Sequence, residues 1–292
     1  MKPAPFMYAA PSTLAEAITL LATHGDKAKL LAGGQSLVPM MNFRLARPEY
    51  VIDLNRIAGL DAITEQDGVL IIGAMTRQRS LERSEVIRQR YPLLLEAVQL
   101  IGHTAIRNRG TMGGSIAHAD PAAELPAVLL AYGGSVTAQG PHGTRQISAA
   151  DLFLTYFTTT LAADEILTEV RFPRWPEGTG WCFLEESRRH GDFAMVGVAA
   201  LLALDTAQHC THAAVALTGV GGVPYKVTET ADILVGHVPD EARIAAIAQA
   251  ASTGVEPEGD IHASAAFRRH LSGVLTRRAL HKAVERATRA DS

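Results

Sequence analysis

Cysteine is almost absent. Only Cys182 and Cys210 occur in 292 residues, with no CxxC between them. Such a chain builds neither a disulfide framework nor an iron–sulfur or zinc cluster of its own. Long apolar runs are lacking too: the uncharged apolar run AMVGVAALLAL at 194–204 is far below the roughly 18 residues a membrane helix needs. Neither charge sign is in excess, with 27 Lys and Arg against 30 Asp and Glu, a net charge of −3. No basic field is present to hold nucleic acid, and no Lys/Arg cluster to seek a membrane surface. Pro3, Pro5, Pro11 and Glu16 break up the N-terminal stretch, so no secretory signal is expected and the cytoplasm is the expected location.

What is present is a full core. Hydrophobic residues make up 47% and charged residues 20%, the balance of a soluble globular protein, and the length suits two domains. Residues 12–24 carry apolar residues at helical spacing, with Ser12 or Thr13 as N-cap. AKLLAGG, EYVIDLNRI and GVLIIGAMT read as short strands running into turns. RSLERSEVIRQRYPLLLEAVQLIG (79–102) predicts two helices meeting at Pro92. AIRNRGTMGGSIAHAD (105–120) has too many glycines and polar groups for either element and reads as a long loop. Asp120-Pro121 then restarts a helix, with Asp as N-cap and Pro at the first helical position. A hairpin tipped by GPHG and the strand DEILTEVRFP follow. The Pro/Gly-rich FPRWPEGTGW (172–181) is the best domain boundary. Beyond it come strands, then a helical final third. Helices do not alternate regularly with strands, which argues for α+β over a doubly wound parallel sheet.

Two glycine pairs stand out, Gly33-Gly34 in LLAGGQSL and Gly113-Gly114 in TMGGSIAHADP. Glycine admits positive φ and exposes backbone N–H groups with no Cβ in the way, and successive free N–H groups cradle phosphate oxygens. Two such loops, each followed by a serine, could hold a pyrophosphate between them. A Rossmann G-x-G-x-x-G and a P-loop G-x-x-x-x-G-K-[ST] are both missing. The alternative is that both pairs are simple tight turns.

KLLAGGQSLVPMMNFRLARPEYVIDLNRI together with AIRNRGTMGGSIAHADPAAELP resembles the two FAD-binding loops of molybdenum hydroxylase flavoprotein subunits. These are the medium subunits of the aerobic carbon monoxide dehydrogenase and xanthine dehydrogenase family. The likeness extends to DLFLTYFTTTLAADEILTEVRFP and ESRRHGDFAMVGVAALL. It implies a vanillyl-alcohol-oxidase-type fold: a FAD-binding part, 1–175, of two α+β subdomains (about 1–55 and 56–175). A C-terminal domain, 176–292, of a three-stranded sheet and helices would follow. By the same resemblance Leu30, Leu31, Ala32, Gly33, Gly34, Gln35, Ser36 and Leu37 form the first loop around the pyrophosphate. Thr111, Met112, Gly113, Gly114 and Ser115 form the second. Glu124 would reach the cofactor's sugar, Leu167 and Ile101 would pack near the flavin, and Phe193 would stand beside the isoalloxazine. Gln35 replaces a frequent His, and Leu184 a Lys of the xanthine dehydrogenases. FAD would be non-covalent, since neither loop offers a His or Cys at a matching position.

The resemblance further implies a small partner with two [2Fe–2S] clusters and a large partner with the molybdopterin cofactor, assembled as a dimer of heterotrimers. The chain itself would bind no metal and carry no catalytic residue: flavin chemistry needs no protein base to move electrons. His118 and Asp120 then read as a loop anchor and an N-cap. His209, Cys210 and His212 lack a fourth ligand nearby and read as a polar turn. Arg188, Arg189 and His190 read as a solvated strand end or a partner contact. The rival functions are a stand-alone FAD oxidoreductase of the same fold and a flavin-free scaffold subunit.

Overall fold

The computed structural model describes residues 2–290. Three short parallel strands, β1 (Met7–Ala9), β2 (Ala28–Leu31) and β3 (Tyr50–Asp53), pair in the order β1-β3-β2. Parallel neighbours need crossovers, and α1 (Leu14–His24) and α2 (Leu37–Asn42) lie on the two connections. Thr13 is the cap of α1: its Oγ1 accepts the Glu16 N–H at 3.2 Å and the Glu16 carboxylate reaches back to the cap.

The second layer is a five-stranded antiparallel sheet, β4-β5-β10-β6-β7. Its members are β4 (Ile63–Gln66), β5 (Val69–Gly73), β6 (Ser135–Gly140), β7 (Gly143–Ser148) and β10 (Ile166–Pro173), with a small ribbon, β8 (Phe153–Thr155) and β9 (Thr158–Thr159), between. Residues 79–102 hold parts of three helices rather than two: α3 (Gln78–Arg83), α4 (Glu85–Arg90) and α5 (Pro92–Leu100). Ser84 makes the extra break. Its backbone is extended and its hydroxyl caps α4. The stretch expected to be one long loop forms α6 (Thr104–Arg107) and α7 (Met112–His118). Thr111 makes α7 possible, because its side chain accepts the Gly114 N–H at 3.1 Å and offsets the glycines' helix cost. The helix expected from Asp120 starts later, as α8 (Glu124–Tyr132). Asp120 instead accepts the Ala122 N–H at 2.9 Å, an Asx turn that uses residues 120–123 as the approach. Every residue of α8 is buried. A last short helix, α9 (Ala149–Leu152), closes the layer.

The third layer is an antiparallel sheet of three long strands, β11 (Gly180–Glu186), β12 (Val196–Leu204) and β13 (Cys210–Thr218). It has one strand more than the three implied, the two-residue β14 (Tyr225–Lys226). Successive side chains point to opposite faces. Phe183, Ala199, Leu201 and Ala216 therefore enter the core of the second layer, around α5 and α8. Cys182, Val198, Ala200, Val215 and Leu217 enter a separate core. That core is covered by α10 (Glu229–Leu234), α11 (Glu241–Thr253) and the long α12 (Ala265–Ala290). Leu184, at the position singled out as a Lys elsewhere, packs against this second core. No helix among the described residues is long and apolar enough to cross a membrane.

Gly180 lets α12 lie directly on β11: a β-carbon there would fall 1.8 Å from the Ala283 carbonyl oxygen. Gly180→Ala is expected to lower stability by about 1–3 kcal/mol or more through overpacking. A urea titration checks it, and an unchanged midpoint would contradict this packing.

Candidate cofactor site

The two glycine loops meet. Gly33 is buried against the backbone of Arg109 and Gly110, where a β-carbon would come within 2.4 Å of the Arg109 carbonyl oxygen. Ala32 lies beside Gly114, its Cβ 3.5 Å from where one would be built on that glycine. A side-chain clamp fixes the approach. Arg77 donates to the Arg109 carbonyl at 2.5 Å and to the Asn55 side chain, and Asn55 donates to the Ala32 carbonyl at 3.0 Å. Reading the sequence missed Asn55 and Arg77, because their partners lie more than twenty residues away and no local spacing marks them.

Accounting for backbone N–H groups separates the loops. None of those of Gly33, Gly34, Gln35, Ser36 and Leu37 finds a hydrogen-bond acceptor among the described residues. Gly34 has φ +73°, the left-handed turn that makes successive amides converge. The Gln35 side-chain amide, through Nε2, donates to the Gly33 carbonyl at 3.2 Å. The second loop is the opposite case. Met112 N–H goes to the Thr76 carbonyl, Gly113 N–H to Ala74, Gly114 N–H to the Thr111 hydroxyl and Ser115 N–H to the Thr111 carbonyl. The expectation that this pair exposes free amides is therefore overturned. Its glycines permit contact: a β-carbon on Gly113 would sit 2.5 Å from that of Ala74, and one on Gly114 2.6 Å from the Thr111 hydroxyl. Met112 is sealed in the core, while Ser115 stays half-buried.

The remaining expected residues fall around the junction with the third layer. Thr218 donates its hydroxyl to the carbonyls of Pro121 and Ala123 at 2.7 and 2.8 Å, and the Gly219 N–H joins Pro121 at 2.8 Å. Glu124 opens α8 there with only 6% of its surface exposed. Burial, with the charges of Glu185 and Asp120, pushes its carboxyl up to about 8. Burial alone lifts Glu185 to about 7, and its Oε2 is sealed without a partner. Beside this junction opens a cavity of about 520 Å³ whose lining includes Pro121, Tyr156, Phe193, Met195 and Gly219. Phe193 is exposed, on a loop whose Gly191 rests against His103. Ile101 is half-buried two residues from that contact, and its carbonyl accepts from the buried Arg107. Leu167 is buried on β10, next to Thr168, whose carbonyl accepts the Ala74 N–H behind Gly113.

Other candidates do not converge. The His118 ring packs on Phe157 at 5.1 Å and makes no bond to Asp120 among the described residues. His209 turns to Asp205, Cys210 is buried with its thiol on the His212 carbonyl, and the His212 ring meets Trp175. Arg188, Arg189 and His190 are exposed, and Arg188 reaches the cavity.

A cradle of free amides on one loop, locked against a second loop, is the arrangement a phosphate-bearing ligand requires. The family model for the FAD-binding domain in molybdopterin dehydrogenase matches residues 4–175, and that for the CO dehydrogenase flavoprotein C-terminal domain matches 181–283. The chain belongs to this family of FAD-binding medium subunits, of the carbon monoxide dehydrogenase and xanthine dehydrogenase type, and is an oxidoreductase flavoprotein subunit. It is 43% identical to the 6-hydroxypseudooxynicotine dehydrogenase complex subunit alpha of Paenarthrobacter nicotinovorans, over 98% of this chain and 97% of that one. Among solved structures it matches carbon monoxide dehydrogenase from Hydrogenophaga pseudoflava with a TM-score of 0.96 at 38% identity, over 98% and 99% of the two chains. Quinoline 2-oxidoreductase from Pseudomonas putida 86 gives a TM-score of 0.92 at 37% identity, over 98% and 99%.

Two predictions follow from the amide accounting and the buried carboxyls. Gly113→Ala should lower the stability of the flavin-free chain by about 1–3 kcal/mol, because the clash is with Ala74 and not with a ligand; denaturant titration without FAD checks it. The folded pKa of Glu124 lies above the ordinary 4.5, so the stability it contributes is complete below that value and is lost as pH rises through about 8. Glu124→Gln should match the parent at pH 4 and exceed it in stability at pH 9. Equal stability of the two at both pH values would refute the burial argument.

Proposed function

We propose that this chain carries FAD non-covalently. In this reading it passes electrons from the [2Fe–2S] clusters of a small partner subunit through the flavin to an external acceptor. A large partner subunit holding the molybdopterin cofactor oxidises the substrate, and the complex is a dimer of heterotrimers in the cytoplasm. The observation that carries the reading is the run of free amides from Gly33 to Leu37, in a chain with two buried cysteines. It has a place for a phosphorylated cofactor and no ligands for a cluster. The relatives' names point to carbon monoxide, 6-hydroxypseudooxynicotine and quinoline. One fold beside three unlike substrates supports placing substrate choice on another chain.

A bound flavin supplies exchange of one or two electrons, which joins an iron–sulfur donor to a two-electron acceptor. The chain's residues do the holding, with the division between domains at about residue 175. The amides of Gly33 to Leu37 take phosphate oxygens, with Leu30, Leu31 and Ala32 delivering the loop from β2. Ser115 adds a hydroxyl that makes no other bond among the described residues. Thr111, Met112, Gly113 and Gly114 form the rigid wall behind it. Glu124, neutral near pH 7, both donates to and accepts from a sugar hydroxyl. Ile101, Leu167 and Phe193 flank the ring.

Expressed alone, the chain should bind FAD, release all of it on acid or detergent denaturation, and turn over no purine, CO or N-heterocycle. Co-expressed with the two partner subunits it should co-purify with iron, sulfide and molybdenum. Flavin left on the precipitated chain defeats the non-covalent reading, and turnover by the chain alone favours the stand-alone enzyme. A chain that takes up no FAD is the scaffold. Ser115→Ala should weaken FAD by a few-fold to about tenfold, the worth of one hydrogen bond, with the unfolding midpoint unchanged.

A further inference from the structure

Glu185 on β11, Gly197 on β12 and Thr218 on β13 form one row of register partners across the third sheet, on the face turned to α8. Gly197 has no side chain to fill the middle of the row: a β-carbon there would lie 3.5 Å from that of Glu185 and 2.7 Å from the Thr218 methyl. Thr218 in turn is hydrogen-bonded to the carbonyl of Ala123, the residue before Glu124. Two carboxyl groups thus approach one another across the domain junction, near enough for Glu124 to feel the charge of Glu185.

No cation pairs with either carboxyl among the described residues. The charged groups on the surrounding elements are committed elsewhere. Glu96 of α5 is held by the Phe183 N–H and by Arg286 of α12. Arg268 of α12 binds Met195, Gly219 and Asp260. Asp120, before α8, adds a further negative charge, and Glu186 faces the other way along the strand. Gly197 and Thr218 do not titrate. Two buried carboxyls with no counter-ion cannot both be ionised at low cost, so the pair holds at least one proton near neutral pH. The two differ in access. Glu124 has 6% of its surface exposed, while Glu185 is half-buried with one oxygen enclosed. Glu185 is the more exposed of the two. The cavity wall is one residue away: Met195, in its lining, donates its N–H to the Glu186 carbonyl at 2.7 Å.

We propose that Glu185 balances charge when the cofactor bound in this site is reduced, taking up proton as electrons enter and releasing it as they leave. The proposal rests on the FAD reading above. Two electrons from a one-electron donor class, such as iron–sulfur clusters or an electrode mediator, enter the flavin with one proton and leave one net negative charge in the site. The Glu185 carboxylate then takes up proton from solvent and becomes a neutral carboxylic acid, so up to two protons match two electrons. A unit charge within roughly 10 Å at an effective dielectric near 20 raises proton affinity by roughly tenfold or more, which moves about half a proton onto a group titrating at about 7. Glu185 is a positioning residue for charge. It transfers no proton to substrate.

The test counts protons. The FAD-loaded full chain is reduced at a mediated electrode in weak buffer, with a pH dye reporting uptake. At about pH 7.5 the parent should take up about one and a half protons per two electrons and Glu185→Gln about one. At about pH 5.5, where Glu185 is protonated beforehand, the two should agree. Glu186→Gln should match the parent throughout. Reduced-minus-oxidised infrared spectra of the parent should show a carboxylic-acid carbonyl band appearing on reduction, a readout that needs no variant to fold. Equal proton counts in parent and Glu185→Gln, or no such band, overturn the proposal while leaving FAD binding intact. A parent that binds no FAD overturns the cofactor reading itself, and this proposal with it.

Discussion

The molecule is arranged around a nine-residue helix with no side facing water. α8 is buried from Glu124 to Tyr132, and a helix apolar nearly all round is stable only when other elements enclose it. α5 and the five-stranded sheet enclose it on one side, the third sheet on the other. Its N-terminal carboxyl is carried into the interior with it. The packing that seats α8 also seats Glu124, so the upward shift of this carboxyl is a by-product of the core's geometry.

The division of labour between the glycine loops follows from the same economy of backbone hydrogen bonds. α7 is short and rich in glycine, and it forms only because its first amides are taken by Ala74, Thr76 and Thr111. With those bonds made, the second loop is rigid and finished. The first loop leaves β2 beside it, clamped through Asn55 and Arg77, and retains its donors. One side of the site is a wall and the other offers the hydrogen bonds. Free donors in a folded chain have a desolvation cost when covered, which is met only by a ligand rich in acceptors.

The sequence made the strands legible because β-branched runs such as VIDL and VLIIG end in turn residues. It made the glycine loops legible as landmarks, and the long helices of the C-terminal third from their period. It did not reveal α7, since two glycines and a serine look like a loop unless Thr111 is seen as a cap whose benefit depends on Ala74 and Thr76. Asp120-Pro121 carries every local sign of a helix start, yet the carbonyls of Pro121 and Ala123 are drawn to Thr218 and the helix waits for Glu124. Glu185 carried no local mark at all. Its environment is set by Gly197 and Glu124, and a strand carboxylate next to Glu186 looks solvated until the third dimension is known.

The alternation of side chains on the third sheet has a consequence for modularity. Phe183 and Ala199 belong to the core shared with the FAD-binding part, Cys182 and Ala200 to the core under α12. The boundary between the two family matches therefore runs along a peptide linker and not along a physical division of the interior. A chain cut at that linker would leave α8 with one flank uncovered, and the sheet with one face wet. Recombination among relatives that exchanged the C-terminal region alone would have to bring a matching apolar face with it. The two parts are expected to be inherited as a pair and to melt as one body.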